Sequence, residues 1–192
     1  DNSFLLKQLP EVNGAVIAMD PHNGRVLAMM GGYIDSEIGF NRATQAERQP
    51  GSVIKTFAYI AALENGFTPA SVIMDEDIVL DQGEGRPPYR PKNITERFYG
   101  LTTLRTGLER SFNVTTVRMA SEVGLRKITN VIKRFGINKR PRRIYSIVLG
   151  STETNLIKLV NAYAMIVNGG KRVTPHLIER IQDKSGNTIY RR

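Results

Sequence analysis

Between Ser52 and Asn65 the chain places apolar side chains at Val53, Ile54, Phe57, Ala58, Ile60, Ala61, Ala62 and Leu63, so a helix there is apolar nearly all the way round. Such a helix has no face to offer water, so other elements must cover it on several sides, and it is expected at the centre of a domain. Ser52 stands at or near its start, and Gly66 is placed to cap its end. The cover is affordable in a chain of 192 residues with 41% hydrophobic and 23% charged residues, values that exclude disorder, collagen and coiled coil. The length suits one domain or part of a larger one.

Two strands are predicted before this helix: an apolar run Gly14 to Met19 and a second, Arg25 to Met30, joined by the turn formers Asp20 to Gly24. Both are apolar at consecutive positions, which predicts a sheet covered by helices on both faces. A polar loop is expected from Tyr33 to Gln49. Residues 68–100 read as irregular, with Ile78 to Leu80 the one short strand. Helices follow over Leu101 to Arg110, Val114 to Val123, Leu125 to Phe135 and about Glu153 to Asn168, the last with Leu156, Leu159, Val160, Tyr163 and Val167 inward. Leu177 to Tyr190 reads as a hairpin turning at Asp183 to Asn187.

Composition narrows the chemistry. The absence of Cys excludes disulfides, Cys-ligated zinc, iron–sulfur clusters and a cysteine nucleophile. His22 and His176 are the only histidines, too few for a zinc site and poorly placed for a Ser-His-Asp triad, and no Gly-rich phosphate loop is present. No metal and no organic cofactor are expected. Apolar runs fall far short of the roughly 20 residues of a membrane span. The formal net charge of +9 is concentrated between Glu122 and Glu153, where eight cations meet no acid. This stretch is either a solvated face or a contact with an anionic surface.

The first chemical signal is Ser52-Val53-Ile54-Lys55. Three helical residues turn a side chain by about 300° and raise it about 4.5 Å, so Ser52 and Lys55 share a face one turn apart. A lysine with an ordinary pKa near 10.4 is neutral in only about one molecule in 2,500 at pH 7, but burial lowers that pKa and makes a base of it. A capping serine followed by a snorkelling lysine has the same spacing. The second signal is Ser111-Phe112-Asn113, in a break between helices, where a hydroxyl and a carboxamide can point into one cleft. A plain helix cap is the alternative there.

Together these motifs resemble the Ser-x-x-Lys and Ser-x-Asn signature of penicillin-binding proteins and serine β-lactamases. The segment Phe40 to Phe57 resembles the nucleophile region of class A penicillin-binding proteins, the bifunctional cell-wall synthases. Pro91-Lys92-Asn93, Tyr99 to Arg105, Val148-Leu149-Gly150 and Asn161 to Ala164 leading to Asn168-Gly169-Gly170 follow in that family's order. The resemblance implies an α/β (α+β) fold with an antiparallel sheet flanked by helices. It implies a D,D-transpeptidase in which Ser52 is the nucleophile and Lys55 the base for acylation. Ser111 then relays a proton to the leaving amine, and Asn113 binds substrate and contacts Lys55. The implied partners are D-alanyl-D-alanine stem peptides of peptidoglycan and β-lactam antibiotics, with no nucleic acid. The implied setting is extracytoplasmic, behind a membrane anchor and a glycosyltransferase domain upstream.

The family's third motif, Lys-Thr/Ser-Gly-Thr on a core strand, has only Lys184-Ser185-Gly186 as a candidate, and that falls where a hairpin turn is expected. The sequence is therefore expected to be a single, partial transpeptidase domain over residues 1–192, ending before that motif. A carboxypeptidase or β-lactamase of the same fold, a non-catalytic scaffold, and a basic nucleic-acid-binding domain are the rival readings.

Overall fold

The computed structural model describes residues 11–33 and 39–192. In chain order the elements are strands β1 (Val16–Met19) and β2 (Val26–Met30), then a 3-10 turn Gly51–Ile54 running into helix α1 (Lys55–Leu63). Strands β3 (Val72–Asp75) and β4 (Gly100–Thr103) precede helices α2 (Leu104–Glu109), α3 (Asn113–Val123) and α4 (Leu125–Arg134). A 3-10 segment Tyr145–Leu149, helix α5 (Leu156–Val167) and strands β5 (Arg180–Gln182) and β6 (Thr188–Arg191) complete them. The chain forms two compact units, one from the segment up to Glu47 with Asn155–Arg192, the other from Arg48–Thr154. Among the described residues the strands form three antiparallel pairs, β1 with β2, β3 with β4 and β5 with β6.

In the Arg48–Thr154 unit, α1 is the central helix that its composition requires. Phe57, Ala58, Ala61 and Ala62 are at most 1% exposed, and α2, α3 and α4 all pack against it. Phe57 meets Phe135 edge to face, ring centroids 5.1 Å apart. Helix α4 is amphipathic in the usual way: Ile128, Val131 and Ile132 are buried while Arg126, Lys127, Lys133 and Arg134 are exposed. Half of the cation-rich stretch is thus the solvent face of one helix, and Lys133 and Arg134 lie in its last turn, where the helix dipole favours positive charge.

Two expectations fail in this unit. Leu101 to Thr103 are strand, not the start of a helix, because they pair with β3, and Thr103 accepts the Thr106 N–H at 3.2 Å to start α2. Ile78 to Leu80 form no strand; Leu80 makes one isolated bridge to Tyr89, and the strand lies earlier, at Val72–Asp75. Both errors concern long-range pairing, which local pattern does not report.

In the other unit α5 packs on β1, and His176 bridges to Arg25 beside β2. The prediction that both sheet faces are covered is overturned: Val16 and Met30, paired across β1 and β2, are 66% and 63% exposed. The register is regular from Val16 to Ala18 and shifts only between Ala18 and Met19, so Val16, Ala18, Ala28 and Met30 share the exposed face of this pair. On α5 the buried positions are Ala162, Ala164 and Met165; Leu156, Leu159, Val160 and Tyr163 are half-buried and Val167 is exposed. Strands β5 and β6 form the predicted hairpin. Part of the loop predicted after Tyr33, residues 34–38, lies outside the described residues.

Candidate active site

The turn that starts α1 is held by a backbone approach close enough to require glycine. A Cβ on Gly150, which has φ +87°, would fall within 2.5 Å of the Gly51 N, Cα and O atoms, so the segment after Tyr145–Leu149 lies directly against the residue before Ser52. Ser52 sits exposed in the 3-10 turn, and neither the turn nor α1 is capped by a side chain. The capping role open to Ser52 is thereby removed.

Lys55 is one turn on and only 1% exposed, so it does not snorkel. Its Nζ donates to the Ser111 carbonyl at 2.6 Å, to Asn113 Oδ1 at 2.7 Å and to Ser111 Oγ at 3.0 Å. Three donors therefore meet three acceptors, which is how a buried ammonium is satisfied. Burial still pushes its pKa down to about 8. At that value about one lysine in eleven is neutral at pH 7, against one in some thousands for an ordinary lysine.

Ser111 can offer both of its oxygens because its backbone is left-handed, φ +55°, a region that serine rarely occupies. Such a conformation persists only where the surroundings impose it. Here they are a stack of Tyr99 on the buried Phe112, centroids 4.3 Å apart, and bonds to the start of α3. Phe112 provides no side-chain cap for that helix. The cap comes from a distant loop: Asn93 Oδ1 accepts from the Asn113 and Val114 N–H groups at 2.8 and 3.1 Å. Asn93 Nδ2 donates to Asp75 Oδ2 at 2.8 Å and to the Arg97 carbonyl at 2.9 Å. Asp75, fully buried, also accepts from the Tyr99 N–H and the Thr115 hydroxyl. The Asn113 amide is oriented at its other end by a 2.9 Å bond from Nδ2 to the Lys92 carbonyl.

Lys55, Ser111 and Asn113 thus form one cluster, with Ser52 exposed a turn before Lys55. Lys184-Ser185-Gly186 lies in the β5–β6 turn and belongs to the other unit. Asp75 was one acid among five between Asp75 and Glu84 in the sequence, and its burial between strand and helix gives no local signal.

A family model, "Penicillin binding protein transpeptidase domain", matches residues 14–192. The chain belongs to the penicillin-binding protein transpeptidase family. A Rickettsia felis penicillin-binding protein 1A is 55% identical over 191 residues, covering 100% of this chain and 24% of that protein. The crystal structure of penicillin-binding protein 1A from Haemophilus influenzae matches with a TM-score of 0.91 and 35% identity over 97% of this chain and 28% of that one. PonA1 from Mycobacterium tuberculosis, solved in complex with penicillin V, matches with a TM-score of 0.81 and 25% identity over 92% of this chain and 49% of that one. The transpeptidase-family chain described here spans about a quarter of the length of the curated relatives it matches. The α+β fold with small antiparallel sheets is the one these penicillin-binding proteins share.

Proposed function

We propose that this chain carries the acyl-transfer centre of a D,D-transpeptidase that cross-links peptidoglycan. The observation that supports it most directly is the buried Lys55 ammonium, enclosed by Ser111 and Asn113 and one turn from an exposed Ser52. Neutral Lys55 takes the Ser52 proton as Oγ attacks the carbonyl of the penultimate D-alanine of a stem peptide. The Ser52 N–H supplies one donor to the developing oxyanion. Ser111 Oγ is the one Lys55 partner able to turn from acceptor to donor, so it can follow the loss of a proton from Nζ and pass that proton to the leaving amine. The C–N bond breaks, D-alanine departs and a Ser52 ester remains. An amine of a second stem peptide then attacks the ester, its proton returning through the same groups to Ser52. A β-lactam forms the same ester by opening its ring. Asn113, oriented by Lys92 and Lys55, binds the substrate amide.

In the whole protein this centre is extracytoplasmic and follows a membrane anchor and a glycosyltransferase domain. The test is intact-mass spectrometry after incubation with benzylpenicillin, on this chain and on the longer natural protein that contains it. An adduct mapped to Ser52 and lost in Ser52→Ala is expected; an adduct retained in Ser52→Ala overturns the nucleophile.

A further inference from the structure

Helix α1 grips the turn Ser111-Phe112-Asn113 from two of its own turns. Lys55 takes the Ser111 and Asn113 oxygens, and Tyr59, one helical turn on and on the same face, reaches the residue between them. Tyr59 is 4% exposed and Thr116 is fully buried. The Tyr59 hydroxyl lies 3.2 Å from Thr116 Oγ1, whose own hydrogen goes to the Phe112 carbonyl at 2.6 Å. Thr116 has one hydrogen to give, so Tyr59 is the donor, and the chain runs from Tyr59 to Thr116 to Phe112. Helix α2 makes room for the phenol: a Cβ on Gly107 would fall 2.9 Å from both Tyr59 Oη and Thr115 Cγ2. That is a packing reason for a glycine inside a helix, where it costs helix propensity. The Gly107 carbonyl also accepts the Phe112 N–H at 2.9 Å, so Phe112 is bound at both of its backbone polar groups.

The two grips differ in what they depend on. The ammonium form of Lys55 fills its three acceptors with charge-assisted bonds, which are about twice as strong as neutral ones. The neutral form, the one that can act as base, has two N–H donors and no charge, so the hold of Lys55 on Ser111 and Asn113 slackens just when the chemistry begins. The Tyr59 chain carries no charge. Burial, and less strongly the Asp75 carboxylate, raise the Tyr59 pKa against the opposing effect of the Thr116 bond, so the phenol stays a donor throughout the titration of Lys55. Lys55 and Asp75 are the buried charged side chains among the described residues. The charges of α2 and α4 and Glu122 of α3 are exposed, Arg118 of α3 pairs with Glu76, and the two 3-10 segments carry none. We propose that Tyr59 is a positioning residue for acyl transfer: through Thr116 it keeps Phe112, and with it Ser111 and Asn113, in place against α1 while Lys55 is neutral. This role rests on the transpeptidase reading, in which neutral Lys55 is the base for Ser52.

The experiment follows acylation of the natural protein containing this chain by benzylpenicillin, in stopped flow from pH 6 to 9. The variants are Tyr59→Phe, Thr116→Val, Thr116→Ser and the double variant Tyr59→Phe/Thr116→Val. The wild-type rate is expected to reach half its maximum near pH 8. At pH 6 Tyr59→Phe matches the wild type, because the ammonium holds the turn unaided and the productive neutral state is drawn from that form at equal cost. At pH 9 it is about fivefold slower, the equilibrium factor of one net hydrogen bond, and its half-maximum lies lower by about 0.7 of a pH unit, the logarithm of that factor. Thr116→Val gives a profile of the same shape, the double variant loses no more than Thr116→Val alone, and Thr116→Ser, which keeps the hydroxyl, restores the wild-type curve. Equal slowing at every pH, the mark of a merely structural residue, overturns the positioning role. So does a Tyr59→Phe profile coincident with the wild type, a Thr116→Ser profile like that of Thr116→Val, or losses that multiply in the double variant. If Tyr59→Phe does not fold, the two Thr116 variants decide alone. With the wild-type curve as expected and its adduct on Ser52, these results refute the positioning role alone, whereas a flat wild-type curve or no Ser52 adduct refutes the transpeptidase reading and the positioning role with it.

Discussion

Replacing Asn93 by Ala removes a side chain with no direct bond to Lys55, yet it should weaken both the fold and the chemistry. Asn93 makes four hydrogen bonds and is 5% exposed. The variant leaves the first two amides of α3 without their acceptor, the loss of a helix cap worth about 1 kcal/mol. It also takes one donor from Asp75 and one from the Arg97 carbonyl, each a bond with a net worth of about 1 kcal/mol, and somewhat more for the buried carboxyl group. The sum is a destabilisation of about 3 kcal/mol, measurable by urea unfolding. The start of α3 holds Asn113 and, through Phe112, the left-handed Ser111, so the cage around Lys55 loosens with it. Acylation by benzylpenicillin, followed by stopped flow in protein still folded, should slow by about 10- to 100-fold, the usual cost of losing a supporting residue behind a catalytic group. Asp75→Asn is the control. Its amide can still accept from Asn93 and Tyr99 and donate to Thr115, so both effects should be much smaller. Loss of stability with acylation unchanged within twofold would refute the coupling, as would an Asn93→Ala protein as stable as the wild type.

The lowered pKa of Lys55 sets a pH dependence: acylation of the free enzyme should rise with pH and reach half its maximum near 8, and a rate flat from pH 6 to 9 would exclude Lys55 as the base. For stability, the unfolded chain holds this proton more tightly than the folded one, so the Lys55 contribution should improve as pH rises from about 8 to 10.5, seen as the difference from Lys55→Met in denaturant unfolding. At Ser111, both Gly and Ala remove the hydroxyl and should slow acylation alike. Gly relieves the left-handed backbone, so Ser111→Gly should be the more stable by roughly 0.5–1 kcal/mol in thermal unfolding, and equal stabilities would show the φ of +55° to be unstrained.

The sequence alone determined what depends on neighbours along the chain. The all-round apolar pattern after Ser52 made α1 a buried helix, the three-residue spacing put Ser52 and Lys55 on one face, and the turn formers at Asp183 to Asn187 marked the β5–β6 hairpin. The family resemblance in Phe40 to Phe57 and Ser111 to Asn113 pointed to the same residues. Only tertiary structure decided that Lys55 is caged, because its partners lie 56 and 58 residues away. The same holds for Asn93, which caps a helix beginning 20 residues later and is bound to an acid 18 residues earlier. It holds again for Gly150 against Gly51 and for the strand at Leu101 to Thr103, which reads as helix until β3 is beside it. Periodicity and capping report forces between residues a turn apart. A buried carboxyl group and a borrowed helix cap are made by residues whose separation along the chain has no fixed value, so no local pattern announces them.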